Sequence, residues 1–249
     1  MQPKTSKNYW EVAVAMLGIV GGMGPLASAE FLKTLYEHNL SELREQDAPR
    51  VIMYSDPSFP DRSEALLNGN SQPLLANLTA ALLRLREMGT AENILCCITC
   101  HHLLPQLPNS LRRPIISLID LIFNQILEQP GKYLLVCTEG TRQLNLFQNH
   151  ALWQLTKDRI ILLDQPDQAA IHRLIYQIKR NTICYRMALR SLERLKHRYQ
   201  ADYLIAGCTE IHLLNKYALS KKSFAQTVFL DPLIIAAQTL GSRSLEAVG

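Results

Sequence analysis

Two pseudo-symmetric, Rossmann-like α/β domains with parallel sheets, sharing a cleft between them, are the fold this sequence predicts. Three observations lead there. First, one unit is written twice, as Ala91-Glu92-Asn93-Ile94-Leu95-Cys96-Cys97-Ile98-Thr99 and as Ala201-Asp202-Tyr203-Leu204-Ile205-Ala206-Gly207-Cys208-Thr209. Each copy reads as a buried apolar strand ending on a cysteine beside a threonine. Each follows a basic amphipathic stretch containing Arg-Leu, so that Arg84 precedes Cys97 by 97 − 84 = 13 residues and Arg194 precedes Cys208 by 208 − 194 = 14. Each is followed by His-Leu-Leu, at His102 and at His212. Second, short apolar runs alternate along the chain with helical periodicity, the pattern of parallel sheets covered on both faces. Third, 249 residues with 47% hydrophobic and 19% charged suffice for cores in two halves of roughly 110 residues each.

The elements follow in order. Residues 1–11 are a ragged extension, 12–20 a buried strand, 21–25 a glycine turn and 26–39 a helix. A strand at 51–54 leads into a polar loop at 55–63. Residues 73–88 form an amphipathic helix, with Leu74, Leu78, Leu82, Leu85 and Met88 on one side and Gly89 as its stop. The first cysteine strand closes the first half. A short strand at 114–116 leads to a helix ending at 128; 133–137 is a strand, 138–141 a turn and 142–154 a helix. A strand at 160–163 and two helices within 167–200 precede the second cysteine strand. A strand at 228–230 and a closing helix from Pro232 end the chain. The expected domains are residues 1–113 with 222–249, carrying Cys97, and residues 114–221, carrying Cys208. In such sheets ligands bind at the carboxyl ends of the strands, where residues 21–25, 55–62, both cysteines and 138–141 fall.

The net charge of +4 is mild and suits an anionic small molecule; it is not gathered into a nucleic-acid stripe. The basic run 179–198 interleaves its charges with Ile183, Met187, Leu192 and Leu195 at helical spacing and reads as the solvated face of ordinary helices. Six cysteines, clustered and set among apolar residues, point to a reducing, cytoplasmic setting and not to a disulfide framework. The start of the chain imitates a signal peptide, with Lys4 and Lys7 before an uncharged run and Ala27-Ser28-Ala29 after it. Glu11 and the glycines at 18, 21, 22 and 24 argue instead for strand, turn and helix.

Cys97-Ile98-Thr99-Cys100-His101 has the lettering of a covalent haem attachment site, and also suggests half a zinc site or a redox dithiol. Haem attachment needs an exported chain and an axial ligand. Zinc needs a second ligand cluster, and the other strong cysteine, Cys208, stands alone. No metal is expected, and Cys96, Cys100, Cys137 and Cys184 read as small buried hydrophobes. Cys97 and Cys208 differ because their placement is matched. Each follows a strand and opens onto a turn or helix whose amides stabilise a thiolate, while Thr99 and Thr209 add hydroxyl donors for a carboxylate. Two thiols on opposite sides of one cleft suit proton transfer on and off the two faces of one carbon.

These residues resemble the cofactor-independent aspartate/glutamate racemases. Gly21-Gly22-Met23-Gly24-Pro25-Leu26-Ala27-Ser28-Ala29-Glu30 is similar to the opening turn and helix of the aspartate racemase branch. Pro60-Asp61-Arg62 resembles its substrate loop, Cys97-Ile98-Thr99 with His101 its first cysteine motif, Gly207-Cys208-Thr209-Glu210 its second, and Leu230-Asp231-Pro232 its closing segment. The likeness spans about residues 14–245 and is greatest to racemases that supply D-aspartate to cyanobacterial nonribosomal peptides such as microcystin. Gly21-Gly22 in place of an Asp-Ser-Gly turn, and Glu210 in place of a histidine, favour aspartate over glutamate. One departure stands out: the family's Cys-Asn-Thr has Ile98 at its centre, which removes a donor for the substrate α-carboxylate.

The resemblance implies a two-base racemase without pyridoxal or another cofactor, in which Cys97 deprotonates the D-isomer and Cys208 the L-isomer. Met23, Arg62, Thr99, Thr138, Thr141, Lys179, Thr209 and Glu210 are the implied substrate-binding residues. Arg62 would fork onto a carboxylate. Lys179 is equally readable as an exposed helix lysine, and Glu210 as a helix cap. His101 and His102 are given no catalytic role. A homodimer acting on aspartate, with neither nucleic-acid nor membrane partner, is implied. The competing readings are a glutamate racemase, a maleate isomerase or decarboxylase on the same scaffold, and a non-catalytic amino-acid-binding relative.

Overall fold

The computed structural model describes residues 16–40 and 44–248, and the side chains within them except those of 47 and 241–248. The expected extension at 1–11 and the start of the first strand, 12–15, lie outside the described residues, as do Lys4, Lys7 and Glu11 of the signal-peptide-like segment.

The first half runs β1 (Met16–Gly21), α1 (Pro25–Leu40), β2 (Val51–Ser55), α2 (Arg62–Leu67), α3 (Gln72–Glu87), β3 (Thr90–Leu95), a 3-10 turn (Thr99–Gln106), α4 (Asn109–Arg112), β4 (Ile115–Ile116) and α5 (Leu118–Glu128). The second runs β5 (Tyr133–Cys137), α6 (Glu139–Gln143), α7 (Trp153–Thr156), β6 (Ile160–Ile161), α8 (Gln165–Lys179), α9 (Tyr185–Arg198), β7 (Tyr203–Gly207), α10 (Ile211–Leu219), β8 (Phe229–Leu230) and α11 (Pro232–Val248). Two four-stranded sheets result, ordered β2-β1-β3-β4 and β6-β5-β7-β8, and every ladder is parallel. The order is the same in both, so the repeated sequence unit is a repeated strand position: β3 matches β7. In each sheet the chain reverses direction of travel between the central pair, β1/β3 and β5/β7. Ligand crevices form at such reversal points.

Alternation along the strands sorts the core into layers. Leu17, Ile19, Ile94 and Cys96 of the first sheet meet Tyr133, Leu135, Cys137 and Ile205 of the second in one central cluster, filled by Phe31, Leu35, Ile122, Phe123 and Leu233 from α1, α5 and α11. The opposite faces carry Val20 and Leu95 against Leu74, Leu78, Leu82 and Leu85 of α3, and Leu134, Val136, Leu204 and Ala206 against α8, α9 and α10. Tyr133 is fully buried as a side chain packing unit, stacked on Tyr203 with ring centroids 4.9 Å apart.

Four expectations need correction. Residues 114–116 were assigned to the second half and 229–230 to the first, yet β4 pairs with β3 and β8 with β7. Two-residue edge strands carry no pattern that names their sheet. Of the closing segment, α11 packs on α1 and α5. The helix expected at 142–154 is broken, because Asn145 takes φ 51°, the left-handed conformation that asparagine tolerates. The break turns Phe147 fully into the core beside Phe123. Finally, the loop expected at 55–63 ends early. Asp61 caps α2 by accepting the Glu64 N–H at 3.0 Å, so Arg62 is held on a helix.

Candidate active site

Strand alternation decides which of the two adjacent cysteines faces the cleft. Cys96 turns into the central core and Cys97 to the other side; Cys208 leaves β7 in the equivalent direction. The carboxyl ends of β1 and β5 supply the neighbouring turns. In the first, Gly22 has φ 86°, and a Cβ there would lie 2.3 Å from the backbone of Asp56, so only glycine fits. In the second, the Thr138 hydroxyl accepts the Thr141 N–H at 3.3 Å and starts α6.

The two thiols sit in opposite electrostatic settings. The neighbouring Cys100 thiol and the cations Arg62 and Lys179 hold Cys97 below the usual thiol range, against the cost of burial. Cys208 is pushed well up by burial and by the Glu210 carboxylate, against the pull of Lys179. Its Sγ donates to Glu210 Oε2 at 2.7 Å. These settings favour the thiolate at Cys97 and the thiol at Cys208.

Both cations reach the cleft. Lys179, at the end of α8, is 17% exposed at its side chain, lies 4.0 Å from Glu210 Oε1 and sits 4.6 Å from the centre of the Tyr176 ring. Glu210, Cys208 and Cys97 together hold its ammonium protonated in spite of burial. Arg62 is buried. Its terminal nitrogens donate to the carbonyls of Met23 and, at 3.2 Å, of Pro60, while its Nε has no partner. The expected fork is thus partly engaged by the protein's own backbone, and Nε is a buried donor without an acceptor. Glu210 Oε1 is likewise buried without a hydrogen bond.

The cleft is closed. Cys97 and Cys208 are 7% and 6% exposed, and Thr99, Thr209 and Glu210 are buried. Thr99 Oγ1 meets Thr141 Oγ1 at 2.9 Å and Thr138 Oγ1 at 3.3 Å across the halves. The Thr209 hydroxyl donates to the Cys96 carbonyl at 3.2 Å, and Tyr176 Oη donates to Asp61 Oδ2 at 2.7 Å. Gly140 lets α6 approach α2: a Cβ there would stand 2.6 Å from Ser63 Oγ and 2.8 Å from its Cα.

Of the ten expected site residues, the structure joins Met23 with Arg62, Cys208 and Lys179 with Glu210, and Thr99 with Thr138 and Thr141, while Thr209 bonds to the Cys96 carbonyl. Ile98 does not face the cleft; it is 1% exposed in the central core. Cys100, expected as a small buried hydrophobe, is buried and its thiol donates to the Met23 thioether at 3.1 Å. Asp61 of the expected substrate loop and Tyr176, 115 residues apart, form a bond that no local pattern announces. His101 keeps no catalytic role. Its Nε2 accepts the Leu118 N–H at 3.1 Å, so its ring proton is on Nδ1 and donates to the Cys97 carbonyl at 3.0 Å, and burial keeps the ring neutral. Among the described residues no three His, Cys, Asp or Glu side chains converge as metal ligands, and no helix is long and apolar enough to cross a membrane.

This architecture has known counterparts. The chain is similar to an aspartate racemase from Picrophilus torridus, with a TM-score of 0.75 at 22% identity over 92% of this chain and 94% of that one. It is also similar to a putative Asp/Glu racemase from Yersinia pestis, with a TM-score of 0.72 at 22% identity over 93% and 99%. Among curated proteins, the broad specificity amino-acid racemase RacX of Bacillus subtilis (strain 168) is 23% identical over 210 residues, 79% of this chain and 86% of that protein. The sequence pattern of the Asp/Glu/hydantoin racemase family matches residues 20–240, from the end of β1 into α11 and through every residue of the cleft: the chain belongs to that family of isomerases.

Proposed function

We propose that the protein is an aspartate racemase that needs no cofactor, with Cys97 and Cys208 as opposed base and acid. The observation that carries this reading is the opposite setting of two matched, buried thiols: the cations Arg62 and Lys179 near Cys97, and a carboxylate acceptor 2.7 Å from Cys208. With a D-substrate bound, the Cys97 thiolate takes the Cα proton and becomes a thiol. The Cys208 thiol returns a proton from the other face and becomes a thiolate. The L-isomer runs the same steps in reverse.

The Cα proton is a very weak acid, so the carbanionic intermediate must be stabilised by fixed donors in a site shielded from water. Arg62 Nε and the Lys179 ammonium are the cationic donors, and the hydroxyls of Thr99, Thr138, Thr141 and Thr209 can turn from one another to a carboxylate. Glu210 Oε1, which accepts no hydrogen bond and has the Lys179 ammonium 4.0 Å away, suits the substrate ammonium. Two carboxylates on the substrate match two cations, which favours an acidic amino acid. On the sequence resemblance we assign the product D-aspartate to peptide biosynthesis, and the active form to a cytoplasmic homodimer.

The test is incubation of the purified protein with L-aspartate in D2O without added cofactor, following Cα–H loss by NMR and enantiomer ratio by chiral chromatography. Exchange and racemisation are expected, each abolished in Cys97→Ser and Cys208→Ser. Faster turnover of glutamate would move the assignment to glutamate racemase. No exchange with either amino acid, or activity only with added pyridoxal phosphate, would overturn it.

A further inference from the structure

The face of α8 that meets the cleft carries a histidine that the two-base scheme leaves unused. His172, Tyr176 and Lys179 follow one another at i, i+4 and i+7, the spacing of a single helical face. Lys179 is the cation beside Glu210, and its ammonium lies over the Tyr176 ring. Tyr176 reaches across to Asp61, which caps the helix bearing Arg62. The half-buried His172 packs its ring against Tyr176, with centroids 4.5 Å apart. Its Nδ1 accepts the Glu139 N–H at 3.1 Å. Glu139 opens α6, which is five residues long and too short to hold its shape by helical hydrogen bonds alone. Two side chains fix its start: the Thr138 hydroxyl takes the Thr141 N–H at 3.3 Å, and His172 takes the Glu139 N–H. The hydroxyls carried on this turn, Thr138 and Thr141, are those that meet Thr99 across the halves.

We propose that His172 is a positioning residue for substrate binding: the neutral ring anchors the turn carrying Thr138 and Thr141 through the Glu139 N–H, and the protonated ring releases it. This rests on the assignment of those hydroxyls to a substrate carboxylate. An imidazole that accepts at Nδ1 carries its proton on Nε2. Protonation puts a second N–H at Nδ1, which then faces the Glu139 N–H, donor against donor. The bond is lost, and a partly buried backbone donor is left without its acceptor. The charged and titratable groups around the ring are Tyr176, Lys179 and Arg173 from α8, Glu139 from α6 and Asp61 at the start of α2. Burial, with Lys179 and Arg173, outweighs Glu139 and Asp61 and holds the midpoint of the ring below the ordinary histidine value of 6.5. Substrate affinity should therefore be full at neutral pH and fall as acid protonates His172.

The experiment measures KM and kcat for L-aspartate between pH ~5 and ~8 in wild type, His172→Asn and His172→Ala, with circular dichroism as the check on folding. Asparagine sets its amide oxygen near the position of Nδ1 and takes up no proton, so it keeps the acceptor and removes the titration. The wild-type KM is expected to rise about tenfold in acid, the His172→Asn KM to stay flat, and the His172→Ala KM to lie about tenfold high throughout. In each case kcat should change less than KM, the pattern of lost uniform binding. An acid limb set by Cys97 falls on kcat and is common to all three proteins. Nitrogen-15 NMR of the imidazole reads the same bond in the wild type without turnover, with the proton expected on Nε2 at neutral pH. A proton on Nδ1 there overturns the proposal. So does a His172→Asn KM that rises in acid in parallel with wild type, the outcome of a packing role alone. A folded His172→Ala with KM within about twofold of wild type at neutral pH overturns it equally; if His172→Ala does not fold, the His172→Asn profile and the imidazole spectrum decide. Failure of the racemase reading would instead appear as no Cα–H exchange in the wild type, with the imidazole spectrum still reporting on the Glu139 bond.

Discussion

Glu210→Gln isolates what keeps the second thiol protonated. In the wild type, the Cys208 thiol donates to Glu210 Oε2 at 2.7 Å, inside a pocket where both residues are buried. A hydrogen bond to a charged group contributes about 1.5–3 kcal/mol, so its loss corresponds to about one to two pH units in the Cys208 midpoint. A second effect has the same sign. Lys179 stands 4.0 Å from Glu210 Oε1, an attraction of about 4 kcal/mol at an effective dielectric constant of 20. Freed of that partner, the ammonium turns its field on the Cys208 sulfur and favours the thiolate. Glutamine keeps the volume, and its amide would donate to a thiolate, which again lowers the midpoint.

Alkylation of Cys208 across pH, read by peptide mapping, measures this directly. The expected outcome is a midpoint about two units below wild type, a more ionised Cys208 at neutral pH, and racemisation slowed about a hundredfold or more as the acid role is lost. Washout of the Cα proton of the D-isomer without inversion should persist longer than racemisation, because the Cys97 base is intact. A Cys208 midpoint that stays or rises would refute the reasoning, since neither the carboxylate nor the lysine would then be setting it.

Two further substitutions test the frame. In Ile98→Asn, which restores the family's usual letter, the side chain lies in the central core and not in the cleft. Lost apolar burial and an unsatisfied amide should together cost about 3–5 kcal/mol, a fall of about 6–20 °C in melting temperature, with KM for aspartate unchanged; a stable variant with a tenfold lower KM would contradict this. In His212→Leu, Asp231 loses a donor at 2.7 Å and keeps Asn215 and the Leu233 N–H, which should cost about 3–5 kcal/mol at neutral pH. Burial pushes the Asp231 carboxyl up, but His212 and the other donors prevail and hold it below its usual range. Their stabilisation is therefore present above pH ~4 and lost as pH falls through the lower folded value. Urea melts of the two proteins should differ at pH 7 and converge in acid, and equal stability at pH 7 would remove the buried His–Asp pair from the account.

Legibility in the sequence followed the range of the forces. The strands at 133–137 and 203–207 and the helix after Pro232 were plain because an apolar run bounded by turn residues is a local signal. Their parallel arrangement followed from alternation with helices. The break at Asn145 was not legible, since it depends on Phe147 being drawn to Phe123 in the folded core. The short helix α2 hid behind Asp61, whose capping role became visible only with its partner amide in place. Among the site residues, Cys97 and Cys208 declared themselves by repetition. Lys179 did not, because a lysine on a basic helix, 28 residues before the next motif, has the same letters whether it faces water or a cleft. The membership of β4 and β8 was lost for a similar reason: edge pairing is a property of the whole sheet.

The repeated unit gives two thiols the same backbone address, yet symmetric thiols would be poor catalysts at any one moment. Two thiolates would leave no acid and two thiols no base. What separates them is a neighbour in the turn that follows each cysteine. After Cys97 the chain places no carboxylate but a second thiol, Cys100, three residues on; after Cys208 it places an acceptor, Glu210, two residues on. Strand order, register and core layers can therefore repeat without compromise, because the asymmetry is confined to side chains beyond the strand ends. The bias need only be large enough to fix the resting state. Lys179, which feels both sulfurs, favours whichever of them carries the charge, so the reversed state, Cys97 thiol and Cys208 thiolate, stays within reach and both enantiomers can be turned over.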